Sequence, residues 1–330
     1  MENNLAINFF RLVVFDDNKS MVESYHRVLD SAFKILSPVH QKVNGKLRTK
    51  QNQDAMILFQ MAISKGLAIR ELLKGCQYEN RETGAVSEPI IDPTTIAALT
   101  RTQYEAFSVF HNIYIANEDQ NVVDLLHNIW VVAGLKERQK GSDPKTPEHI
   151  AKAEREAKEI DDLIAQIQSN PIFLNHSEDQ QKKILDWIGK RKFEVVYRKN
   201  KLVLLPHRDM FLNTGVNDVF SNQYSILSWF IHPSYVSVLQ FGQMFEKEFN
   251  EEHTYTFLRI SRIIMSMLIV DYCKYFTVAM EEFGKLSKID QLIIYADNKT
   301  YRNNHDFSTE AFKDLEKEIG ELLKKGKKKD

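Results

Sequence analysis

The scarcity of glycine and proline is the feature that most constrains the fold of this chain. Only 12 glycines and 8 prolines occur in 330 residues, which is below ordinary usage for a chain of this length. These two residues are the main interruptions of regular structure. Long segments can therefore continue as helices, and the sequence predicts an all-α protein built as a multi-helix bundle.

Composition indicates the class of protein. Hydrophobic residues make up 43% of the chain and charged residues 27%, which is typical of a globular protein. The formal net charge of -1 gives no overall field that would attract nucleic acid or an anionic membrane. Because the chain exceeds the size at which a single core usually stops growing, we expect one large helical domain with additions, or two domains.

The polar start of the chain and the cysteine usage favour a cytoplasmic location. The two cysteines, Cys76 and Cys273, lie far apart in apolar segments that we expect to be helical, a pattern typical of a reducing compartment. The most apolar stretch, residues 255–283, carries charges that would be costly in a bilayer. We therefore predict a buried core helix there and no membrane association. The charges are Arg259, Arg262, Asp271 and Lys274.

Helical spacing of apolar residues predicts the first two helices. The first covers residues 20–37 and is expected to stop before Ser37-Pro38, because the residue before a proline is disfavoured in the α region. The second covers residues 54–76 and carries small residues, among them Ala62 and Gly66, which would permit a close crossing with another helix.

Capping signals and periodicity place the later helices. Asp92 followed by Pro93 is typical of an N-cap and a first helical residue, and the helix should reach about residue 116. Residues 147–167 form one apolar stripe in a charged background, which predicts a surface helix. Two aliphatic runs around a polar centre predict a small β-hairpin near 193–205. Further helices are expected at 119–136, 178–190, 216–231, 234–249, 253–284 and 308–325.

These segments suggest four parts of the chain. The predicted parts are an N-terminal helix and linker (1–50), a main helical bundle (51–142 with 213–285), an inserted charged lobe with a helix and the hairpin (143–212), and a C-terminal helix with a basic tail (286–330).

Two helices carry narrow polar stripes on otherwise apolar surfaces. Projection at 100° per residue groups four residues of the helix at 96–116 on one arc: Arg101, Glu105, Ser108 and Asn112. The helix at 216–232 has a comparable arc, with Tyr224 at its margin: Ser221, Ser225, Ser228 and His232. A solvent-facing side would normally be wider. The two stripes could face one another, which the sequence alone does not decide.

If the two stripes face one another, their residues could form either a catalytic site or a network that stabilises the fold. In the catalytic interpretation His232 is a general acid or base, Glu105 orients it and Arg101 holds an anionic group such as a phosphate. Ser108, Asn112, Tyr224 and Ser228 would then contribute ligand contacts. In the structural interpretation, which we favour, the same residues form a buried network that fixes helix register.

Two short motifs carry a resemblance to a known family. The segments Arg101-Thr-Gln-Tyr-Glu105 and Tyr224-Ser-Ile-Leu-Ser228-Trp-Phe-Ile-His232-Pro233 resemble the R-x-x-x-E and Y-x-x-x-S-x-x-x-H-P motifs of an all-helical bacterial family, domain of unknown function 5677. The resemblance covers residues 50–285 and implies an all-helical fold similar in outline to the HEPN group, which contains RNA-cleaving domains. Those RNases carry a histidine four to six residues after an arginine. This chain departs from that pattern, and its nearest approach is Arg302-Asn-Asn-His305.

Other residue pairs suggest further chemistry. Glu23 with His26 and Asp124 with His127 each have the i, i+3 spacing used in helical di-iron sites, to which Glu105 could add a ligand. We do not predict a metal, because acidic residues three before a histidine are frequent on helix surfaces. Arg259, Arg262 and Ser266 share one side of the longest apolar helix and are expected to pair with internal acidic side chains.

Three classes of function therefore remain open. The first is a non-catalytic helical module that binds a partner or regulates a bacterial stress or phage-defence system. The second is a HEPN-like RNase or toxin that uses Arg101, Glu105 and His232 on RNA, and the third is a helical metalloprotein. The sequence does not decide whether the chain is an enzyme. We expect no cofactor, a partner protein or RNA as ligand, and a homodimer as one oligomeric state.

Overall fold

The computed structural model describes residues 5–14, 17–303, 307 and 309–326, and it confirms the all-α prediction with one small hairpin. Helices hold 74% of the described residues. The basic tail that follows residue 326 lies outside the described residues, and so does His305. The elements, in chain order, are α1 (Leu5–Phe9), a π-helix (Phe10–Val14), α2 (Asn18–Val43), α3 (Lys50–Leu72), α4 (Pro93–Tyr114), α5 (Gln120–Gly141), α6 (Pro147–Ser169), α7 (Pro171–Leu174), α8 (Glu178–Gly189), β1 (Val195–Arg198), β2 (Lys201–Leu204), α9 (His207–Leu212), α10 (Gln223–Ile231), α11 (Tyr235–Gln243), α12 (Lys247–Tyr275), α13 (Thr277–Gly284), α14 (Lys288–Tyr301) and α15 (Glu310–Gly326).

The chain divides into two compact units. The first unit contains Met1–Phe110 and Gly215–Asp330, and the second contains His111–Thr214. Helix α4 begins in the first unit and its last turn belongs to the second. The predicted boundaries of the four parts of the chain stay a prediction.

Helix α2 corrects the predicted stop before Pro38. The helix runs from Asn18 to Val43 with Pro38 inside it, although a proline lacks the N–H that an interior position uses. The apolar face continues beyond the proline, because Ile35, Val39 and Val43 are all fully buried. Burial of this face outweighs the local preference of the residue before proline, as tertiary packing often does.

The close helix crossing predicted around Gly66 is present. A Cβ atom on Gly66 would lie 2.8 Å from Cδ1 of Leu29 and 3.3 Å from Nε2 of Gln103, so a larger residue would require the Leu29 side chain to move. The Tyr25 hydroxyl donates to the Gly66 carbonyl at 2.9 Å. Residues of α2 and α4 therefore pack directly against the α3 backbone. The helix itself ends at Leu72, which leaves Cys76 exposed outside it.

The centre of the first unit is α12. Its residues from Ile263 to Cys273 are buried without interruption, which confirms the predicted core helix. Among the described residues, no helix is both long and apolar enough to cross a membrane. The predicted helix 253–284 is two helices, because Phe276 adopts an extended conformation with φ -109° and ψ 112°.

One long helix was not predicted. Helix α14 is almost entirely buried although it contains Asp290, Asp297 and Asn298. These polar residues disrupt the apolar periodicity that marks a core helix. Their partners lie on other helices: Asp297 accepts hydrogen bonds from Arg262 and Ser266 of α12, and Asn298 donates to the Ser266 carbonyl at 3.0 Å.

The second unit contains the predicted surface helix and hairpin. Helix α6 buries Ile160 and Ile167 but leaves Ile150 exposed, so the apolar stripe is covered only towards its C-terminal end. Strands β1 and β2 pair antiparallel, with Val195 opposite Leu204. The turn between them uses Lys199 and Asn200 at positive φ, 48° and 59°, the backbone that a two-residue hairpin requires.

Candidate functional site around Arg101

Helix α4 positions the first half of the site. Asp92 caps the helix, since its Oδ1 accepts a hydrogen bond from the Thr94 backbone at 2.9 Å, and Pro93 is the first helical residue. Arg101 and Glu105 are one turn apart, so their side chains meet on one face: Nε of Arg101 donates to Oε1 of Glu105 at 3.0 Å. The Arg101 side chain is 18% exposed and that of Glu105 is 43% exposed.

Helix α10 positions the second half and corrects the predicted helix 216–231. It begins only at Gln223, and the Ser221 hydroxyl instead donates to the Asp218 carbonyl in the preceding turn. Tyr224 lies in the first turn of the helix. His232 is the C-cap residue, in an extended conformation with ψ 137°, as expected before Pro233.

The two halves meet, which the sequence left open, and they do so through Tyr224 and His232. Nη2 of Arg101 donates to the Tyr224 hydroxyl at 2.7 Å, and Nη1 lies 3.4 Å from Nε2 of His232. The Tyr224 hydroxyl in turn lies 3.4 Å from Oε1 of Glu105. All three guanidinium nitrogens of Arg101 therefore face side chains of this chain. We call Arg101, Glu105, Tyr224 and His232 the arginine cluster.

Aromatic contacts support the arginine cluster from one side. The Arg101 guanidinium carbon lies 4.7 Å from the centroid of the Tyr224 ring, a cation–π geometry. The Tyr104 ring, which is fully buried, lies 5.2 Å from the Tyr224 ring. The Tyr224 side chain thus bridges the buried core and the partly exposed arginine. Partial burial raises the pKa of the Tyr224 hydroxyl, while the nearby Arg101 charge opposes that rise.

Buried hydrogen bonds hold α4 in place behind the cluster. Gln103, two residues from Arg101, is fully buried. Its Nε2 donates to the Ala62 carbonyl of α3 at 2.9 Å, and its Oε1 accepts from the Ser261 hydroxyl of α12 at 2.5 Å. At the other end of the cluster, the Ser237 hydroxyl donates to the His232 carbonyl. These contacts fix the backbone on which the cluster is built.

The other residues that we predicted to contact a ligand lie within the protein or bond to its own groups. Ser228 donates to the Tyr224 carbonyl of its own helix at 2.8 Å, and Ser108 is buried. Asn112 belongs to the second unit, where its side chain donates to the Met210 carbonyl at 2.9 Å and accepts from Asn213.

Arg262 of α12 is the centre of a second, buried cluster, whereas Arg259 of the same helix is exposed. Arg262 is 4% exposed, and it donates to both oxygens of Asp297, at 3.2 Å from Nε and 2.9 Å from Nη2. Its Nη1 donates to the Ser24 hydroxyl of α2 at 2.9 Å. Ser266 also donates to Asp297. The expected pairing of Arg262 and Ser266 with an internal acidic side chain is thus present.

The residues considered for a metal site have other partners. The Glu23 carboxylate accepts hydrogen bonds from Arg11 at 2.8 Å and from Arg27 at 3.2 Å. In the second unit, Asp124 accepts from Gln120, and His127 is buried beside the Tyr114 ring. Across the described residues, no group of three or more His, Cys, Asp and Glu side chains could hold a metal ion. No observation therefore favours the metalloprotein alternative.

A large exposed apolar surface next to the cluster was not predicted. Ser237 and Met244 are the buried residues of α11 and its C-cap, and most of the helix circumference is open. The sequence shows that the segment from Val219 to Phe245 contains no Asp, Glu, Lys or Arg, which marks it as apolar but not as exposed. We call the exposed apolar side chains from Trp229 to Phe245 the α11 surface: Trp229, Tyr235, Val236, Val238, Leu239, Phe241 and Phe245.

A cleft joins the arginine cluster to the α11 surface. It has a volume of about 240 Å³, and its walls include His232 with Phe230, Val238 and Phe241. The exposed His232 ring therefore has a charged neighbour, Arg101, on one side and apolar side chains on the other.

Comparison of the chain with models of known protein families, with curated proteins and with solved structures finds no match. The resemblance to the domain-of-unknown-function family and to the HEPN group stays a prediction, which rests on the motifs around Arg101 and His232.

Proposed function

We propose that this chain is a non-catalytic helical module that binds a partner through the α11 surface. The observation that carries the proposal is the exposure of an uncharged apolar helix. Tyr235 is 81% exposed, Phe245 69% and Val238 60%. Large contiguous apolar patches are rare on soluble proteins unless a partner covers them.

The arginine cluster has an organising role in this proposal. The Arg101 guanidinium already contacts Glu105, Tyr224 and His232, so an incoming phosphate would compete with these side chains. A network of this kind fixes the relative positions of α4 and α10. Since α11 follows His232 directly, the cluster also fixes the base of the α11 surface.

A metal-independent RNase is the second candidate function. The exposed His232 ring next to Arg101 favours it, because Nε2 can accept a proton when the ring proton is on Nδ1. The Glu105 carboxylate contacts Arg101 rather than the imidazole, so it does not orient His232 as the catalytic interpretation requires. The predicted role in bacterial stress or phage defence rests on the family resemblance alone.

Cleavage of a mixed pool of cellular RNAs separates the two candidates. Wild-type protein, His232→Ala and the matched control His40→Ala, which changes an exposed histidine of α2, are incubated with the pool with and without a metal chelator. We expect no cleavage above background from any of the three proteins. Cleavage by wild type and His40→Ala that is lost in His232→Ala would overturn the proposal and establish the RNase.

Site-specific photo-cross-linking in the native cell tests binding itself. A photoreactive residue replaces Leu239 of the α11 surface or, as a control, the exposed Ile57 of α3. We expect a defined cross-linked product at Leu239 and none at Ile57. Absence of any product at Leu239, including a product between two copies of this chain, would contradict a binding role for this surface.

A further inference from the structure

The α11 surface is too large and too apolar to be an ordinary solvent-facing helix. Its side chains are between 47% and 81% exposed. Since a large aromatic side chain carries about 150–250 Å² of surface, the exposed fractions of these seven side chains sum to roughly 700 Å². This area is close to the ~800 Å² that each partner contributes to a standard protein interface.

We propose that a second copy of this chain covers the α11 surface in a twofold-symmetric dimer. This inference rests on the proposed function and names its partner. In a twofold contact each patch packs against the same patch of the other copy, so the patch must be compatible with itself. The segment from Val219 to Phe245 meets that condition, because it contains no Asp, Glu, Lys or Arg.

The charges that flank α11 favour an antiparallel contact. His232 precedes the N-terminal end of the helix, and the exposed Glu246 and Glu248 follow its C-terminal end. The helix has nine residues, so the two ends are about 13 Å apart. Antiparallel helices bring the histidine end of one copy towards the carboxylate end of the other. Parallel helices would place the carboxylates of the two copies together, which is unfavourable.

The same charges distinguish this dimer from attachment to a membrane. Basic side chains promote binding to anionic lipid, whereas the segment that follows the α11 surface in the chain, residues 246–252, carries four Glu and one Lys. Carboxylates at this position would be repelled by such a surface. A second copy has no such conflict in the antiparallel arrangement.

Sedimentation velocity of the full chain over a hundredfold range of micromolar concentration tests the dimer. We expect the wild-type mass to rise to twice that of one chain. Leu239→Glu places an unpaired carboxylate in the contact and should weaken association by at least about tenfold. Ile57→Glu, an equivalent change at a 47% exposed residue of α3, should associate as wild type does. Circular dichroism of each variant verifies that it is folded.

Two results would overturn the dimer. One is a wild-type protein that stays monomeric at every concentration, and the other is equal weakening by Leu239→Glu and Ile57→Glu. A monomer that co-sediments with phosphatidylcholine–phosphatidylglycerol vesicles would identify a lipid surface as the occupant instead. A Leu239 cross-link to a different protein would overturn the dimer and leave the proposed function intact, whereas cleavage of RNA that depends on His232 would overturn the proposed function.

Discussion

The first unit contains two arginine clusters that use the same chemistry in different surroundings. Arg262 contacts a carboxylate and a serine hydroxyl where its side chain is 4% exposed and Asp297 is 2% exposed. Arg101 contacts a carboxylate and a tyrosine hydroxyl where its side chain is 18% exposed and Glu105 is 43% exposed. A buried pair has no solvent to replace a missing partner, whereas a surface pair does. The first cluster should therefore contribute far more to the stability of the fold than the second.

Removal of the acidic partner should give the largest difference between the clusters. Asp297→Ala leaves the Arg262 guanidinium buried without its carboxylate and should lower the free energy of unfolding by about 3–5 kcal/mol. Glu105→Ala should lower it by only about 0–1 kcal/mol, because water can solvate Arg101. Urea denaturation of both variants measures the difference. Equal losses would contradict the distinction between the two clusters.

Substitutions on the buried side of α4 should lower the stability of the protein more than substitutions on its outer side. Gln103→Leu removes the hydrogen bonds to Ala62 and Ser261 and leaves their polar groups buried, at a cost of about 1–3 kcal/mol. The neighbouring Thr102 donates only to the Ala98 carbonyl of its own helix, so Thr102→Val should change stability by about 0.5 kcal/mol or less. The midpoints of urea denaturation of the two variants measure the difference in stability. A Thr102→Val loss as large as that of Gln103→Leu would show that the outer side is equally constrained.

Within the surface cluster, the hydroxyl and the ring of Tyr224 should contribute separately. Tyr224→Phe removes the hydrogen bond from Arg101 and should lower the free energy of unfolding by about 0.5–1.5 kcal/mol. Tyr224→Leu also removes the cation–π contact and should cost about 0.5–1 kcal/mol more. Thermal unfolding of the two variants measures the increment. If both variants unfold at the same temperature as the wild type, the arginine cluster does not fix α4 against α10.

The change in stability with pH that comes from Tyr224 should be the smallest of these effects. Its pKa is raised above 10 chiefly by partial burial, so the folded state holds the phenolic proton more tightly than the unfolded state. The associated stability is fully present below about pH 10 and is lost as pH rises through the folded pKa. Ultraviolet difference titration of wild type against Tyr224→Phe isolates this tyrosine. A phenol that titrates below 10 would show that the Arg101 charge outweighs burial.

Local signals in the sequence predicted much of the architecture. The cap at Asp92 and the hairpin after Phe193 follow from nearby residues and from periodicity. Periodicity also placed Arg101 and His232 on polar arcs, but it could not decide whether the two arcs meet, because that depends on how distant helices pack. Helix α14 did not follow, because Asp297 and Asn298 look like surface residues until Arg262 and Ser266 are known to face them. The predicted stop of α2 before Pro38 was wrong for a related reason. Val39 and Val43 are buried by residues distant in sequence, and this burial extends the helix beyond the proline.

The α11 surface shows a limit of another kind. A helix with apolar residues around most of its circumference is normally buried, so the pattern that predicts a helix at 234–249 gives no sign that its apolar side chains are exposed. Whether such a helix is covered by its own chain or by a partner depends on the position of the remaining helices. The absence of charge from Val219 to Phe245 is compatible with either outcome.

Hydrogen exchange of the α11 backbone amides at low and high protein concentration tests the central claim most directly. If the α11 surface is a binding surface that a second copy covers, amides from Tyr235 to Gln243 should exchange more slowly at high concentration, because local opening of α11 must then break the contact. The amides around Ile57 should exchange at the same rate throughout. Exchange in α11 that is independent of concentration, in a protein that cross-links to nothing at Leu239, would contradict the account.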